Sequence, residues 1–167
     1  MEKSSVTGVA VNTRESKITI SGLPNCPGVT TGIFASVARA GVWIGLSTQS
    51  VSTSNPISAM LSFTVPKDRA GQVLGLLRSL QVEMGFDAVS RDDQVGRLSL
   101  VGTGLRSDPG IHAILFSVLA GAGINIQVIW NAGNLISVLM RADQLESAVH
   151  LTELAFGLDP QQREDFF

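Results

Sequence analysis

Side chains able to do chemistry are sparse in this sequence. Cys26 is its single cysteine, and His112 and His150 are its two histidines. A metal site needs three or four Cys, His or carboxylate ligands at close spacing, which none of these residues has, so neither a metal nor a cofactor is expected. No histidine lies near Cys26 in sequence to act as its base, and an incidental thiol is expected there rather than a nucleophile. Gly102-Thr103-Gly104-Leu105-Arg106-Ser107 has two glycines of a dinucleotide fingerprint but lacks the third, and no Gly-Lys-Ser/Thr phosphate loop occurs. No convergent acid–base set remains, so the chain is not expected to be an enzyme on its own. What is left is a pair of loops, Gly22 to Thr30 and Gly104 to His112, each containing Pro-Gly. A loop that rises from a strand into a helix start presents N–H groups with partial positive charge, which suit a small carboxylate; the plainer alternative is that the glycines only permit the turn.

The elements that must position these loops come in duplicate. Shifting the sequence by 82 positions superimposes Gly22 on Gly104, Pro27 on Pro109, Gly28 on Gly110, Phe34 on Phe116, Ala38 on Ala120, Gly41 on Gly123 and Ile44 on Ile126. After a hairpin shortened by seven residues, Ser62 falls on Ser137 and Asp68 on Asp143. Lys17–Gly22 and Arg97–Gly102 alternate with period two, as half-buried strands do. Pro27 and Pro109 mark helix starts, Asp108 serves as an N-cap in the second copy, and both helices end at an Ala-Gly pair. Two strands follow in each copy, around 43–52 with 59–65 and around 124–130 with 135–140. A second helix closes each unit, with stripes Val73, Leu74, Leu77, Leu80 and Leu145, Ala148, Val149, Thr152, Ala155, Phe156.

Copy one ends with a fourth strand, Phe86 to Ser90, completing a β-α-β-β-α-β unit. Copy two lacks one, because Asp159–Asp165 is too polar to pair inside a sheet, whereas Val6–Val11 is a strand with no place of its own. The N-terminal strand is therefore expected to complete the second unit. The fold class that results is α+β, with two ferredoxin-like βαββαβ units, each an antiparallel four-stranded sheet with helices on one face. The expected boundaries are 15–92 for an inserted first unit, 1–14 plus 93–158 for a discontinuous second one, and 159–167 for a polar tail.

Composition narrows the partners. Of 167 residues only 16% are charged and 44% are hydrophobic, leaving more apolar surface than charge to cover it, so a homodimer is expected. A net charge of −2 offers no field for tracking phosphates. RNA-binding modules share this element order but need stacking aromatics on their strands, and Tyr is absent here, so no nucleic-acid partner is expected. Ile111 to Met140 runs 30 positions without a charge, yet Gly121, Gly123, Asn125, Gln127, Asn131, Gly133 and Asn134 interrupt it, which favours a buried helix and strands over a membrane span. Without a signal-peptide block at the N-terminus, and with one cysteine, a cytoplasmic setting is expected.

The duplicated strand, Pro-Gly turn, Ala-Gly helix end and Ile-rich strand resemble the ACT domain of amino-acid-metabolism regulators, and most of all the tandem regulatory portion of aspartokinases. The tracts that carry the likeness are Val6-Thr7-Gly8-Val9-Ala10, Asp93–Gly102, Arg106–Gly110, Ile124-Asn125-Ile126 and Ile136–Leu139. The resemblance implies a non-catalytic regulatory subunit that senses threonine or lysine, with a kinase catalytic subunit as a partner. Carried over by position, it implies an effector site of Asn25, Pro27, Gly28, Val29 and Thr30 in the loop, Gln49 and Ser52 on the following strand, and Asn125 and Ile126 at the start of the Ile-rich strand of a facing unit. The sequence departs from the family at Asn25 and Gly45, where Asp is usual, at Thr30, where a smaller residue is usual, and over Trp130–Asn134. A stand-alone dimeric scaffold with altered or lost effector specificity is the alternative. Gly28→Val is expected to fill ligand space with little change in melting temperature, and Gly110→Val to destabilise.

Overall fold

The computed structural model describes residues 5–165; the first four residues of the expected second unit and the last two of the expected tail lie outside them. Along the chain run β1 (Ser5–Asn12), β2 (Glu15–Pro24), α1 (Val29–Arg39), β3 (Ser47–Val51), β4 (Ser58–Pro66), α2 (Ala70–Met84), β5 (Ala88–Asp92), β6 (Val95–Thr103), α3 (Pro109–Gly121), β7 (Val128–Ala132), β8 (Leu135–Arg141), α4 (Leu145–Phe156) and β9 (Glu164–Asp165). They divide into two compact units, one drawn from Arg14–Asp93 and the other from Met1–Thr13 with Gln94–Phe167. The architecture is α+β, two β-α-β-β-α-β modules with a sheet apiece.

In the unit 14–93 the strand order is β3-β4-β2-β5, antiparallel throughout. The period-two alternation of β2 sends Ile18 and Ile20 to one face, where they meet Leu61 and Phe63 of β4, Ile33 and Val37 of α1, and Val73 and Leu77 of α2. Phe34 adds an edge-to-face contact with Phe63, with ring centroids 5.6 Å apart. In the other unit the order is β7-β8-β6-β1-β9. Leu98 and Leu100 of β6 build the same core with Ile136 and Val138, Leu115 and Leu119 of α3, and Ala148 and Val149 of α4. The repeat extends to the backbone: positive-φ glycines recur as Gly22 with Gly104, Gly41 with Gly123 and Gly85 with Gly157.

The second sheet has five strands where four were expected. The polar tail is not excluded from the sheet: Glu164 and Asp165 pair in parallel with Ala10 and Val11 on the outer edge of β1, a position where one side of the strand stays in water and polar side chains are tolerated. Smaller shifts have local causes. Pro27 stands two residues before α1 rather than in its first turn. The strand expected from Trp43 begins at Ser47, and the one expected from Ile124 begins at Val128, because each helix is followed by an extended connection that covers the core before the ladder starts. Ala155 faces solvent and Glu153 is buried in its stead. None of the described helices is long and apolar enough to cross a membrane.

The chain leaves the unit 14–93 beside the point where it entered. Lys17 pairs with Asp92 across β2 and β5, and the Ser16 hydroxyl donates to Asp93 Oδ1 at 2.5 Å. Arg91 Nε donates to the same oxygen at 2.6 Å. The Arg91 guanidinium, and after it the Ser16 hydroxyl, hold the Asp93 carboxyl below its usual range. A carboxyl depressed in the folded state adds stability above its unfolded pKa and loses it as pH falls through the folded one. Because Asp93 is two-fifths exposed, solvent screens the pair and weakens it. Asp93→Asn is expected to cost about 0.5–1 kcal/mol at neutral pH. The difference from wild type should shrink as pH falls below the ordinary carboxylate range and vanish once Asp93 is protonated in the folded state, as read by urea unfolding at a series of pH values.

Candidate functional site

The first loop is built by strong local restraints. β2 ends at Pro24, and the Asn25 backbone N–H donates to Ile57 O at 2.8 Å while its side-chain amide donates to Pro56 O at 2.9 Å. Asn25 is thus a clamp between this loop and the turn leading into β4. Gly28 is the N-cap of α1, with φ 93° and ψ −21°, and contributes no side-chain cap. Gly32 N–H closes the first helical bond on Gly28 O at 2.9 Å. The positive end of an eleven-residue helix therefore starts without a carboxylate or hydroxyl of its N-cap residue over it. Around Gly28 there is room: a Cβ built there meets nothing within 4 Å.

The second loop differs at the same place. Asp108 is the N-cap of α3, its carboxylate accepts the Gly110 N–H at 2.9 Å, and Pro109 fills the first helical position. Gly110 has no positive φ. The residue 82 positions before Asp108 is Cys26, which carries no carboxylate to offer. That substitution is the sequence signal for the asymmetry. An anion approaching α3 would meet the Asp108 charge, whereas one approaching α1 would not.

Thr30 and Gln49 come together, the Thr30 hydroxyl donating to Gln49 Oε1 at 2.7 Å and tying the first turn of α1 to β3. Ser52 lies just past β3 in the hairpin turn, where its oxygen accepts the Asn55 N–H at 3.2 Å and lies 3.0 Å from the Ser54 hydroxyl. It shapes the hairpin rather than joining Thr30 and Gln49. Pro27 and Val29 flank Gly28, with Val29 turned partly onto the core. Asn125 and Ile126 belong to the other compact unit, in the connection between α3 and β7, with Asn125 exposed and Ile126 against that unit's core.

Gly45 exposes residues that sequence reasoning missed. A Cβ there would run into Glu15 Oε1 and Thr64 Oγ1. Glu15 is 2% exposed, and Thr64 donates to its Oε1 at 3.2 Å while accepting the Leu46 N–H at 2.9 Å. A buried carboxylate from the start of β2 thus occupies the neighbourhood where a side chain at 45 would project. The acidic first residue of an otherwise alternating strand was the available signal. Cys26 is exposed and solitary, and no group of three or more His, Cys, Asp or Glu able to hold a metal is found among the described residues.

An ACT-domain family model matches residues 98–156. Aspartokinase of Mycolicibacterium smegmatis is 39% identical over 158 residues, covering 95% of this chain and 38% of that protein. Aspartokinase of Thermus thermophilus is 35% identical over 154 residues, again 38% of its length. The chain thus spans about two fifths of the curated relatives it matches. Among solved structures, a chain of the aspartokinase alpha and beta subunits superposes with a TM-score of 0.85 at 34% identity, covering 92% of this chain and all of that one. The ligand-free regulatory subunit of aspartate kinase from Thermus thermophilus gives the same score at 32% identity, covering 91% and 99%.

The expected tolerance of Gly28→Val is overturned by the backbone. At φ 93° a β-branched residue is strained whatever the space around it, whereas Gly110 sits in an ordinary helical turn, where an added Cβ touches only the movable Asp108 Oδ1 at 3.0 Å. Gly28→Val is therefore expected to lose about 1–2 kcal/mol. Gly110→Ala should lie within about 1 kcal/mol of wild type, helix propensity gained being set against a disturbed cap. Thermal unfolding of the two variants side by side checks the order.

Proposed function

The chain belongs to the aspartokinase family, matching its ACT-domain regulatory subunit, and on that premise we propose that it is a non-catalytic, cytoplasmic regulatory subunit that binds a free amino acid of the threonine or lysine class at the start of α1. The observation that carries this reading is the contrast between the two helix starts, one capped by Asp108 and one left to Gly28. The effector's carboxylate meets the first-turn N–H groups beyond Gly28, with Pro27 and Val29 bounding the space and Asn25 holding the loop closed. Thr30 and Gln49, joined at 2.7 Å, supply polar atoms for the remainder of the ligand. Asn125 and Ile126 come from a second copy of the chain in a paired assembly, while Ser52 acts indirectly through the hairpin. Control of a kinase catalytic partner then follows if the amino acid binds one arrangement of the pair more tightly than another.

Gly45 supports a second reading, a dimeric scaffold with altered or lost effector specificity. The ammonium of an amino acid needs a counter-charge, and leaving it unpaired in a closed site costs several kcal/mol. Neither Asn25 nor Gly45 offers one, and the carboxylate near Gly45, that of Glu15, is buried at 2% exposure.

Calorimetric titration separates the readings: saturable heat with threonine or lysine supports sensing, and silence with every proteinogenic amino acid supports the scaffold. If the site is as proposed, Thr30→Val with Gln49→Ala should weaken binding at least about tenfold, a loss of ~1.4 kcal/mol. Unfolding should move by no more than about 0.5 kcal/mol, since the pair is exposed.

Dimerisation is proposed through the bare outer strands β3 and β7, which carry no charged side chain and leave Val51, Ile129 and Trp130 in solvent. Sedimentation is expected to give twice the 17.6 kDa chain mass, and a persistent monomer at micromolar concentration would contradict the dimer. An interface above about 1,200 Å² is expected.

A further inference from the structure

The outer edge of β1 takes no part in the effector site. β1 reads Ser-Val-Thr-Gly-Val-Ala-Val-Asn, with no charged side chain along eight residues. A strand of that kind left open at a sheet edge is a template on which another strand adds. Its counterpart in the other unit is β5, outermost beside β2, and β5 carries Arg91 and Asp92, charges of the type that guard an edge. β1 has no such guard, and the chain covers it instead.

The cover is brought there by a series of restraints. Gly157, at φ 63°, ends α4, and the Leu158 N–H turns back to Glu153 O at 2.9 Å. The Asp159 carboxylate accepts the Gln161 N–H at 2.9 Å and opens the turn Pro160–Gln162. Arg163 then reaches α4, donating through Nε to Glu153 Oε1 and through Nη2 to Glu153 Oε2, both at 3.0 Å, and through Nη1 to Glu146 Oε1 at 3.1 Å. Glu153 is 3% exposed, so its carboxylate depends on a cation held in place, and the two-pronged geometry is the strong form of that pair. Glu146 is largely in water and adds little. Immediately beyond Arg163, Glu164 and Asp165 lie along Ala10 and Val11. The rest of the edge, Thr7 to Val9, borders a cleft of about 400 Å³ whose other walls are Val101, Gln162 and Glu164, so the tail overhangs that stretch as well.

We propose that Asp159–Asp165 is a strap that closes the β1 edge against strand addition by a second copy of this chain, with Arg163 as its latch on Glu153. The surface beneath fits an extended, uncharged strand, and the β1 of another molecule is such a strand. The association it guards against uses a different edge from the β3 and β7 edges proposed for the functional dimer, so a failure here leaves the effector and dimer readings untouched.

The test uses the full chain. Arg163→Ala leaves a buried carboxylate alone and risks unfolding the unit, so it is paired with the charge-free double variant Glu153→Gln, Arg163→Gln. In the double variant, diluted until the larger species is absent, hydrogen exchange over residues 5–12 is expected to rise by about tenfold or more while β8 keeps its protection. Sedimentation is expected to show a species larger than wild type that grows with concentration and retreats when a synthetic peptide of residues 158–165 is added. Unchanged exchange over 5–12 would overturn the strap, and a uniform rise across the unit would make Arg163 a support of the core instead. An opened edge that recruits no second copy would overturn the guarding role.

Discussion

The fold of the larger unit depends on one long-range pairing, β1 against β6. Val9 faces Leu100 and Asn12 faces Arg97, so strands separated by the whole of 14–93 must meet in register. Closing a loop of that length costs entropy that grows only with the logarithm of its size. The cost here is smaller still, because β2 and β5 are neighbours and Lys17 pairs with Asp92, so the intervening unit returns the chain to where it departed. The Ser16, Arg91 and Asp93 hydrogen bonds fasten that exit. At the far end of the pairing Gly102 lies so close to the Ser5 carbonyl that no side chain would fit, which makes that residue part of the register rather than of the turn. β1 in turn supplies Val9 to the core and the edge on which β9 rests.

Much of this was legible because a repeat reports on itself. Two alternating strands, two Ala-Gly helix ends and two apolar stripes, offset by 82 positions at the first helix and by 75 after the shorter second hairpin, leave few ways to misread the element order, and a β-α-β-β-α unit short of one strand points to the unplaced N-terminal strand. What escaped is what the repeat does not share. Polarity, a local property, places the tail outside the sheet, whereas its two-residue pairing goes with Arg163 meeting Glu153 ten positions earlier, a tertiary contact with no period. Glu153 itself interrupts the exposed face of α4, and its burial makes sense only with that cation. The Glu153 carboxylate in turn holds the Arg163 guanidinium protonated even more firmly than usual.

The candidate site shows the same division. Pro-Gly at 27–28 and 109–110 looks equivalent, and reading both prolines as the first residue of a helix held only for Pro109. The difference was written one residue earlier, in Cys26 against Asp108. With a carboxylate available the chain enters α3 through a side-chain cap; without one it enters α1 through a left-handed glycine. That choice leaves the first turn of α1 without a side-chain cap from its N-cap residue, and this is the feature on which the proposed effector site rests. The position of Thr30 was legible in the sequence but its bond to Gln49 was not, since it joins a helix to a strand that begins four residues later than the pattern suggested.

Charge scarcity ties these features together. With 16% of residues charged, an apolar, strand-rich chain has little with which to keep its edges apart. Two of its ion pairs stand where the topology is most exposed to error: Arg91 with Asp93 where the chain leaves the inserted unit, and Arg163 with Glu153 where the last strand must be held to an uncharged edge. The first is partly in water and is worth little by itself, so its role is to fix direction. The second is anchored by a carboxylate that was expensive to bury and is satisfied only while the tail is in place. A hydrophobic pair at those positions would pack as well, yet it would hold the tail no more firmly than any other apolar segment. Placing the cost of a buried charge under the strap makes departure of the strap, rather than its presence, the unfavourable state.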